Sequence, residues 1–286
     1  MTIFHNLIDR MNFVLTNMPP RRTLSRWMGH LSRIENRSWT RIALWVWDRF
    51  DPLELDDSPP KQYKSIHECF IRPLKPGARL IDTDSSTWTS PCDGIVGAFG
   101  RIRDGQLYQI KGQNYRIDEL IGSEHDDSPW KHGHFVTIRI KSCMYHRFHA
   151  PASGELLRVK YFTGDAYNVN PPALRWVERL YCKNERACLT FRVNGQDHIA
   201  LIPVAAILVA GIRLNAWRGD DWMIDQRVTS SEPPTPYVKG QEMGWFEHGS
   251  TIVILTPAHW APLESLKEGG RIRMGQALFR RDAQNT

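Results

Sequence analysis

The run from Ile199 to Ile212 carries no charged side chain over 14 residues and is interrupted by Pro203. A membrane-spanning helix needs about 20 apolar residues, and a strand with one wet face would alternate apolar and polar positions. The run is too short for the first and too apolar for the second. It therefore predicts one or two strands buried on both faces, within Ile199 to Leu214, with a kink near Pro203 or Gly211.

Short segments of the same kind fill the chain after Pro52. Val96 to Phe99, Leu107 to Lys111, Phe135 to Ile140, Glu155 to Phe162, Ala187 to Val193, Thr251 to Leu255 and Gln276 to Phe279 read as strands bounded by Gly, Asn, Asp and Pro. Asn194-Gly195 marks a hairpin. Ile66 to Phe70, Ile117 to Ile121 and Pro172 to Leu180 read as helices, and Gly219 to Met243, with Ser230 to Pro236 at its centre, reads as an exposed, flexible loop. The expected fold class is α+β, mainly β: a β-sandwich or barrel with helical additions and no internal repeat.

The first 50 residues differ in kind. They hold Arg10, Arg21, Arg22, Arg26, Arg33, Arg37, Arg41 and Arg49 against Asp9, Glu35 and Asp48, so most of the chain's net charge of +6 lies there. Four of the 11 tryptophans, Trp27, Trp39, Trp45 and Trp47, lie there too. Three amphipathic helical patterns follow one another: Ile3 to Leu15, ending at Pro19-Pro20; Leu24 to Ile34, with Thr23 as N-cap; and Trp39 to Phe50, behind Ser38. Apolar faces edged by arginine suit the headgroup plane of an anionic membrane, and equally suit packing against the chain's own domain or a partner. No nucleic-acid-binding motif accompanies the charge, so nucleic acid is the weakest partner. No apolar stretch reads as a signal peptide or a transmembrane span. The five cysteines, Cys69, Cys92, Cys143, Cys182 and Cys188, form no CxxC pair, which points to a reducing compartment and not to a disulfide framework.

Three segments could carry chemistry. Gly249-Ser250, between the expected loop and a strand, places a hydroxyl beside the carbonyl that precedes it. Glycine there has no Cβ to obstruct the approach. Tyr145-His146-Arg147-Phe148-His149-Ala150-Pro151 supplies two histidines; with Cys143 their spacing also invites a zinc reading, but no further ligand cluster supports one, and no metal is expected. Ser90-Pro91-Cys92-Asp93-Gly94 is a turn whose carboxylate could complete an Asp-His-Ser arrangement. The Gly-x-Ser-x-Gly elbow of conventional serine hydrolases is absent.

Together these segments resemble the phosphatidylserine decarboxylase family of self-processing, pyruvoyl-dependent enzymes. Phe70-Ile71-Arg72-Pro73-Leu74, Ile81-Asp82, Lys111 to Tyr115, Gly164-Asp165, Val169-Asn170 and Asn184-Glu185-Arg186 extend the resemblance in the family's order across residues 60 to 280. The chain departs from the family pattern at His248, Met144 and Cys92.

The resemblance implies that Ser250 attacks the Gly249 carbonyl, with His149 as base and Asp93 as its orienting carboxylate. The amide becomes an ester, β-elimination frees the Gly249 carboxylate, and hydrolysis of the resulting dehydroalanine releases ammonia and leaves a pyruvoyl group on residue 250. It further implies a β chain of residues 1–249, an α chain of residues 250–286, a Schiff base between the pyruvoyl group and phosphatidylserine, and assistance to decarboxylation by His146. Residues 1–50 would then be a membrane-associating region on the cytoplasmic face, and residues 51–286 the catalytic domain, with a homodimer an open arrangement. Two rival readings are a related pyruvoyl decarboxylase acting on another serine lipid and an unprocessed β-sandwich that only binds membranes.

Overall fold

The computed structural model describes residues 10, 13, 21–108, 114–122, 128–206, 211–217, 223, 225, 228–247 and 250–282. The Ile3 to Leu15 pattern lies outside these residues apart from residues 10 and 13, as do Lys111 to Gln113, Ile207 to Ala210, residues 219–222, 224, 226 and 227, His248 and Gly249.

Helix α1 (Arg21–Ser32) and helix α2 (Arg37–Phe50) form an N-terminal arm, and α3 (Ile66–Phe70) follows. α1 already contains Thr23 in its first turn, and α2 is capped by Asn36, whose Oδ1 accepts the Trp39 N–H; neither Thr23 nor Ser38 is the cap. Asn36 holds an extended backbone at φ −140°, which frees its side chain to reach over the first turn.

The remainder is β-rich. An open sheet of eight antiparallel strands runs in the order β11 (Val228–Tyr237), β7 (Gly154–Phe162), β8 (Arg186–Val193), β9 (Asp197–Ala205), β13 (Ser250–Thr256), β5 (His134–Ile140), β2 (Gly94–Arg101) and β15 (Arg271–Ile272). β11 and β15 are its edges, so the sheet does not close into a barrel. The apolar run of the sequence divides into β9 and β10 (Ile212–Leu214), and β9 lies between β8 and β13, buried on both faces.

Alternation along the strands sorts the core into two layers. Ile252, Ile254, Ile138, Ile140, Leu201 and Phe191 face one side. There the sheet is covered by two three-stranded sheets, β1 (Thr87–Thr89) with β16 (Ala277–Arg281) and β14 (Trp260–Pro262), and β10 with β12 (Glu242–Phe246) and β6 (Arg147–His149). Val253, Leu255, Ile202 and Val204 face the other side, under β3 (Gln106–Tyr108), β4 (Asn114–Arg116), α4 (Ile117–Ile121), α5 (Pro171–Trp176) and α6 (Leu180–Lys183). The expected single helix over 172–180 is two: the first ends where Val177 turns extended (φ −99°, ψ 105°), and Arg179, at φ 51°, caps the second.

The expected loop over 219–243 is corrected in part: Val228–Tyr237 is a strand paired with β7, and Glu242–Phe246 is β12. Proline lacks a ladder donor, which an edge strand tolerates. The register shift between Ser230 and Thr235 takes up the intervening Ser231-Glu232-Pro233-Pro234.

Two of the motif arginines are structural. Arg72 is buried and donates to the carbonyls of Cys69, Glu54 and Cys143, tying α3 to the segment ahead of the histidines. Arg186 donates to the carbonyls of Leu120, Cys182 and Glu119 and lies 4.1 Å over the Phe162 ring. Asn184 bridges Tyr167 and Ala205. Each replaces backbone pairing that loops cannot supply internally.

Candidate active site

Ser250 opens β13, where it pairs with Ile140 on one side and Ala205 on the other. Period-two alternation places its side chain on the same face as Ile252 and Ile254, in the layer covered by the β6-β12-β10 sheet. The residue is fully buried, and its Oγ has no hydrogen-bond partner among the described residues. Thr251 points to the opposite face.

Strand β6 of the covering sheet ends at His149, which is buried. Its Nδ1 lies 2.9 Å from the Gly240 carbonyl oxygen, which can only accept. Nδ1 therefore carries the proton, and Nε2 accepts from the Tyr145 hydroxyl at 2.8 Å. Burial lowers the His149 pKa below the ordinary value, against the Gly240 carbonyl, Glu242 and Asp93, which pull it up. The ring is thus a neutral imidazole with its lone pair on Nε2, the form a general base requires. Tyr145, which sequence reasoning passed over as a neighbour of the histidines, is the residue that holds that lone pair; its phenol is buried and its pKa raised, so it remains a donor.

Backbone pairing draws the three chemical segments together. The His149 N–H donates to the Pro91 carbonyl, the Ala150 N–H to the Gln241 carbonyl and the Gly240 N–H to the Ala150 carbonyl, each at 2.8 Å. Asp93 lies buried beside them. Its carboxylate takes Arg79 Nε at 3.0 Å on Oδ1 and Arg79 Nη2 on Oδ2, and also accepts the Met274 N–H at 2.8 Å. Direct orientation of His149 by Asp93 is therefore not what the geometry contains: the Gly240 carbonyl occupies Nδ1, and Asp93 reaches the ring only through its charge. Burial opposes the Arg79 charge, but Asp93 and Asp57 outweigh it and hold the pKa above the ordinary value. Arg79 is not in any segment with a chemical spacing, which is why the sequence did not reveal it.

His146 is buried, with Nδ1 2.8 Å from the Met144 carbonyl and its ring 4.4 Å from the Phe70 ring. Among the described residues no group of three or more His, Cys, Asp or Glu side chains is placed to hold a metal ion. Cys92 is fully buried, and burial raises its thiol pKa far from reactivity.

The arrangement combines a fully buried serine at the head of an inner strand with a buried histidine on a strand of the covering sheet. The family model described as Phosphatidylserine decarboxylase matches residues 66–280. Curated relatives named "Phosphatidylserine decarboxylase proenzyme" include one from Brevibacillus brevis (strain 47 / JCM 6285 / NBRC 100599), 33% identical over 272 residues, covering 92% of this chain and 95% of that protein. Another, from Shewanella sp. (strain MR-4), is 34% identical over 286 residues, covering 95% and 97%. The chain belongs to the phosphatidylserine decarboxylase family.

Proposed function

We propose that Ser250 is the nucleophile of self-cleavage at Gly249-Ser250 and that His149 is its base, in an enzyme that decarboxylates phosphatidylserine to phosphatidylethanolamine. The observation that carries the assignment is Ser250 itself, a fully buried hydroxyl with no hydrogen-bond partner among the described residues, at the head of a central strand. An unsatisfied buried hydroxyl costs about 1–3 kcal/mol, and such costs concentrate where chemistry requires them.

His149 Nε2 accepts the hydroxyl proton once the Tyr145 O–H turns away from it. Gly240 keeps the other nitrogen protonated and the ring in one tautomer. Asp93, neutralised by Arg79, anchors the turn that carries Pro91 and contributes charge near the ring. His146 is proposed to assist decarboxylation.

Processing would leave a pyruvoyl group at residue 250, the first residue of β13, and the burial of that position fits a small ketone better than a charged amine. When present, the group supplies an electron sink for the carboxylate leaving as CO2. The strand holds this end in place after cleavage, because β13 bonds to β5 and β9 while β15 and β16 pair with β2 and β1. Ile252, Val253, Ile254, Leu255, Trp260, Leu278 and Phe279 are all buried, so the α chain of residues 250–286 stays with the β chain of residues 1–249.

Residues 1–50 are proposed as the membrane-facing region and 51–286 as the catalytic domain. α2 is apolar on two sides. Thr40 and Trp47 turn inward, the first donating to the Lys64 carbonyl and the second lying 5.4 Å from the Phe70 ring. Trp39, Ile42, Val46 and Phe50 are exposed, with Trp27 and Ile34 beside them. An exposed apolar stripe this large on a single chain marks an interaction surface, and the exposed Arg37, Arg41 and Arg49 suit it to an anionic lipid surface. No helix among the described residues is long and apolar enough to cross a membrane.

The test is to express Ser250→Ala and His149→Ala and separate the chains under denaturing conditions. The first is expected to remain a single chain and the second to cleave far more slowly; normal cleavage of Ser250→Ala refutes the assignment.

A further inference from the structure

Glu247 lies three residues before Ser250 and is buried. Its backbone N–H donates to the Gly211 carbonyl at 3.0 Å, and its carboxylate binds two guanidinium groups. One belongs to Arg213 on β10, at 3.2 Å; the other belongs to Arg33, at 2.5 Å, from the turn that joins α1 to α2. The closer of the two contacts thus comes from the N-terminal arm, 214 residues away in sequence. The side chain of Glu247 is 9% exposed while that of Arg33 is 45% exposed, so the carboxylate depends on a partner that the arm brings in from the surface. Ile34, the next residue, belongs to the exposed apolar surface of the arm.

The segment entering the scissile peptide is therefore pinned from both ends. Ser250 is fixed downstream by the β5 and β9 ladders, and Phe246 and Glu247 are fixed upstream by backbone bonds to His146 and Gly211. Attack on a preceding carbonyl is a reaction of near contact, sensitive to small displacements of either end. Arg33 links this segment to the N-terminal arm, which is not part of the β-layers.

We propose that Arg33 is a positioning residue for self-cleavage: acting through Glu247, it couples the seating of the N-terminal arm to the alignment of the scissile peptide. This rests on Ser250 being the cleaving residue. The arm then has a second role beyond lipid contact, since the precursor cleaves at full rate only with the arm docked on its own catalytic domain.

The experiment is a time course of small-chain formation by freshly synthesised precursor, comparing wild type with Arg33→Ala, Arg33→Lys, Glu247→Gln, Arg33→Ala/Glu247→Gln and Ser250→Ala. Loss of a half-exposed ion pair onto a buried carboxylate is expected to slow Arg33→Ala about fivefold. Arg33→Lys restores most of the rate, because the lysine charge still reaches Glu247. In the Glu247→Gln background Arg33→Ala has no further effect, the mark of action through one partner. Urea unfolding of Arg33→Ala and Arg33→Lys, each combined with Ser250→Ala so that both remain single chains, is expected to give closely similar midpoints, which a purely structural role would not. Wild-type rates in Arg33→Ala, or equal slowing by Arg33→Ala with and without Glu247→Gln, overturn the proposal. Cleavage of Ser250→Ala instead overturns the nucleophile assignment on which it rests.

Discussion

Replacing Arg79 by methionine tests how Asp93 is held. Both side chains of this pair are 4% exposed, so solvent screening does not weaken it as it does a surface pair. The guanidinium meets both carboxylate oxygens, and the one further contact described for that carboxylate is the Met274 N–H. Removing one member of a buried pair leaves an uncompensated charge and costs about 3–5 kcal/mol. Against a total stability of about 5–15 kcal/mol for a folded domain, that is a large fraction. Arg79→Met is therefore expected to lower unfolding stability by about 3–5 kcal/mol. Removing both charges in Arg79→Met/Asp93→Leu should recover most of the loss, because no charge is then left buried. The assay is urea unfolding followed by tryptophan fluorescence, with every variant carried on Ser250→Ala so that one chain unfolds. A loss below about 1 kcal/mol is the behaviour of an exposed pair and would refute the buried neutralisation of Asp93.

Other outcomes follow from the same contacts. Because burial lowers the His149 pKa, the native state binds fewer protons at this site than the unfolded chain as pH falls through the ordinary value of about 6.5. The stability contribution of this site is thus intact above that pH and is lost below it; the base remains competent there too, so the acid limb of the cleavage rate should lie below about pH 6.5. Tyr145→Phe removes the donor that favours neutral His149 and should move that limb to higher pH, read from cleavage rates across a buffer series. Replacing Trp39, Ile42 and Phe50 together by serine should abolish most sedimentation with anionic vesicles. Replacing Arg21, Arg22 and Arg26 should weaken it at low salt and matter less at high salt; unchanged binding in both sets would refute the lipid-facing arm.

The inner strands of the eight-stranded sheet were legible, while the shorter buried strands β1, β6 and β12 were not. Ile199 to Leu214, Phe135 to Ile140 and Thr251 to Leu255 announced themselves because burial demands apolar side chains at defined spacing. β11 did not, since an edge strand may carry Pro233, Pro234 and Pro236 and so looks like a loop. Asn36 as the cap of α2 was missed in favour of Ser38 because both residues can cap and only the backbone dihedrals decide. Among candidate site residues, Ser250, His149 and Asp93 were singled out from their motifs. What the motifs could not show is the pairing: Asp93 is held by Arg79, and His149 is held by Gly240 and Tyr145. Tyr145 lies four residues from His149 in the same motif, whereas Arg79 and Gly240 come from other segments and are placed by the fold. The contact of Arg33 with Glu247 is hidden for the same reason.

Intact mass measured on purified protein under denaturing conditions tests the central claim most directly. Two species are predicted, ending and beginning at the Gly249-Ser250 linkage, with the segment of residues 250–286 lighter by one ammonia than the same peptide bearing an ordinary amino-terminal serine. A catalytically active preparation containing only the uncleaved chain of 286 residues would contradict it.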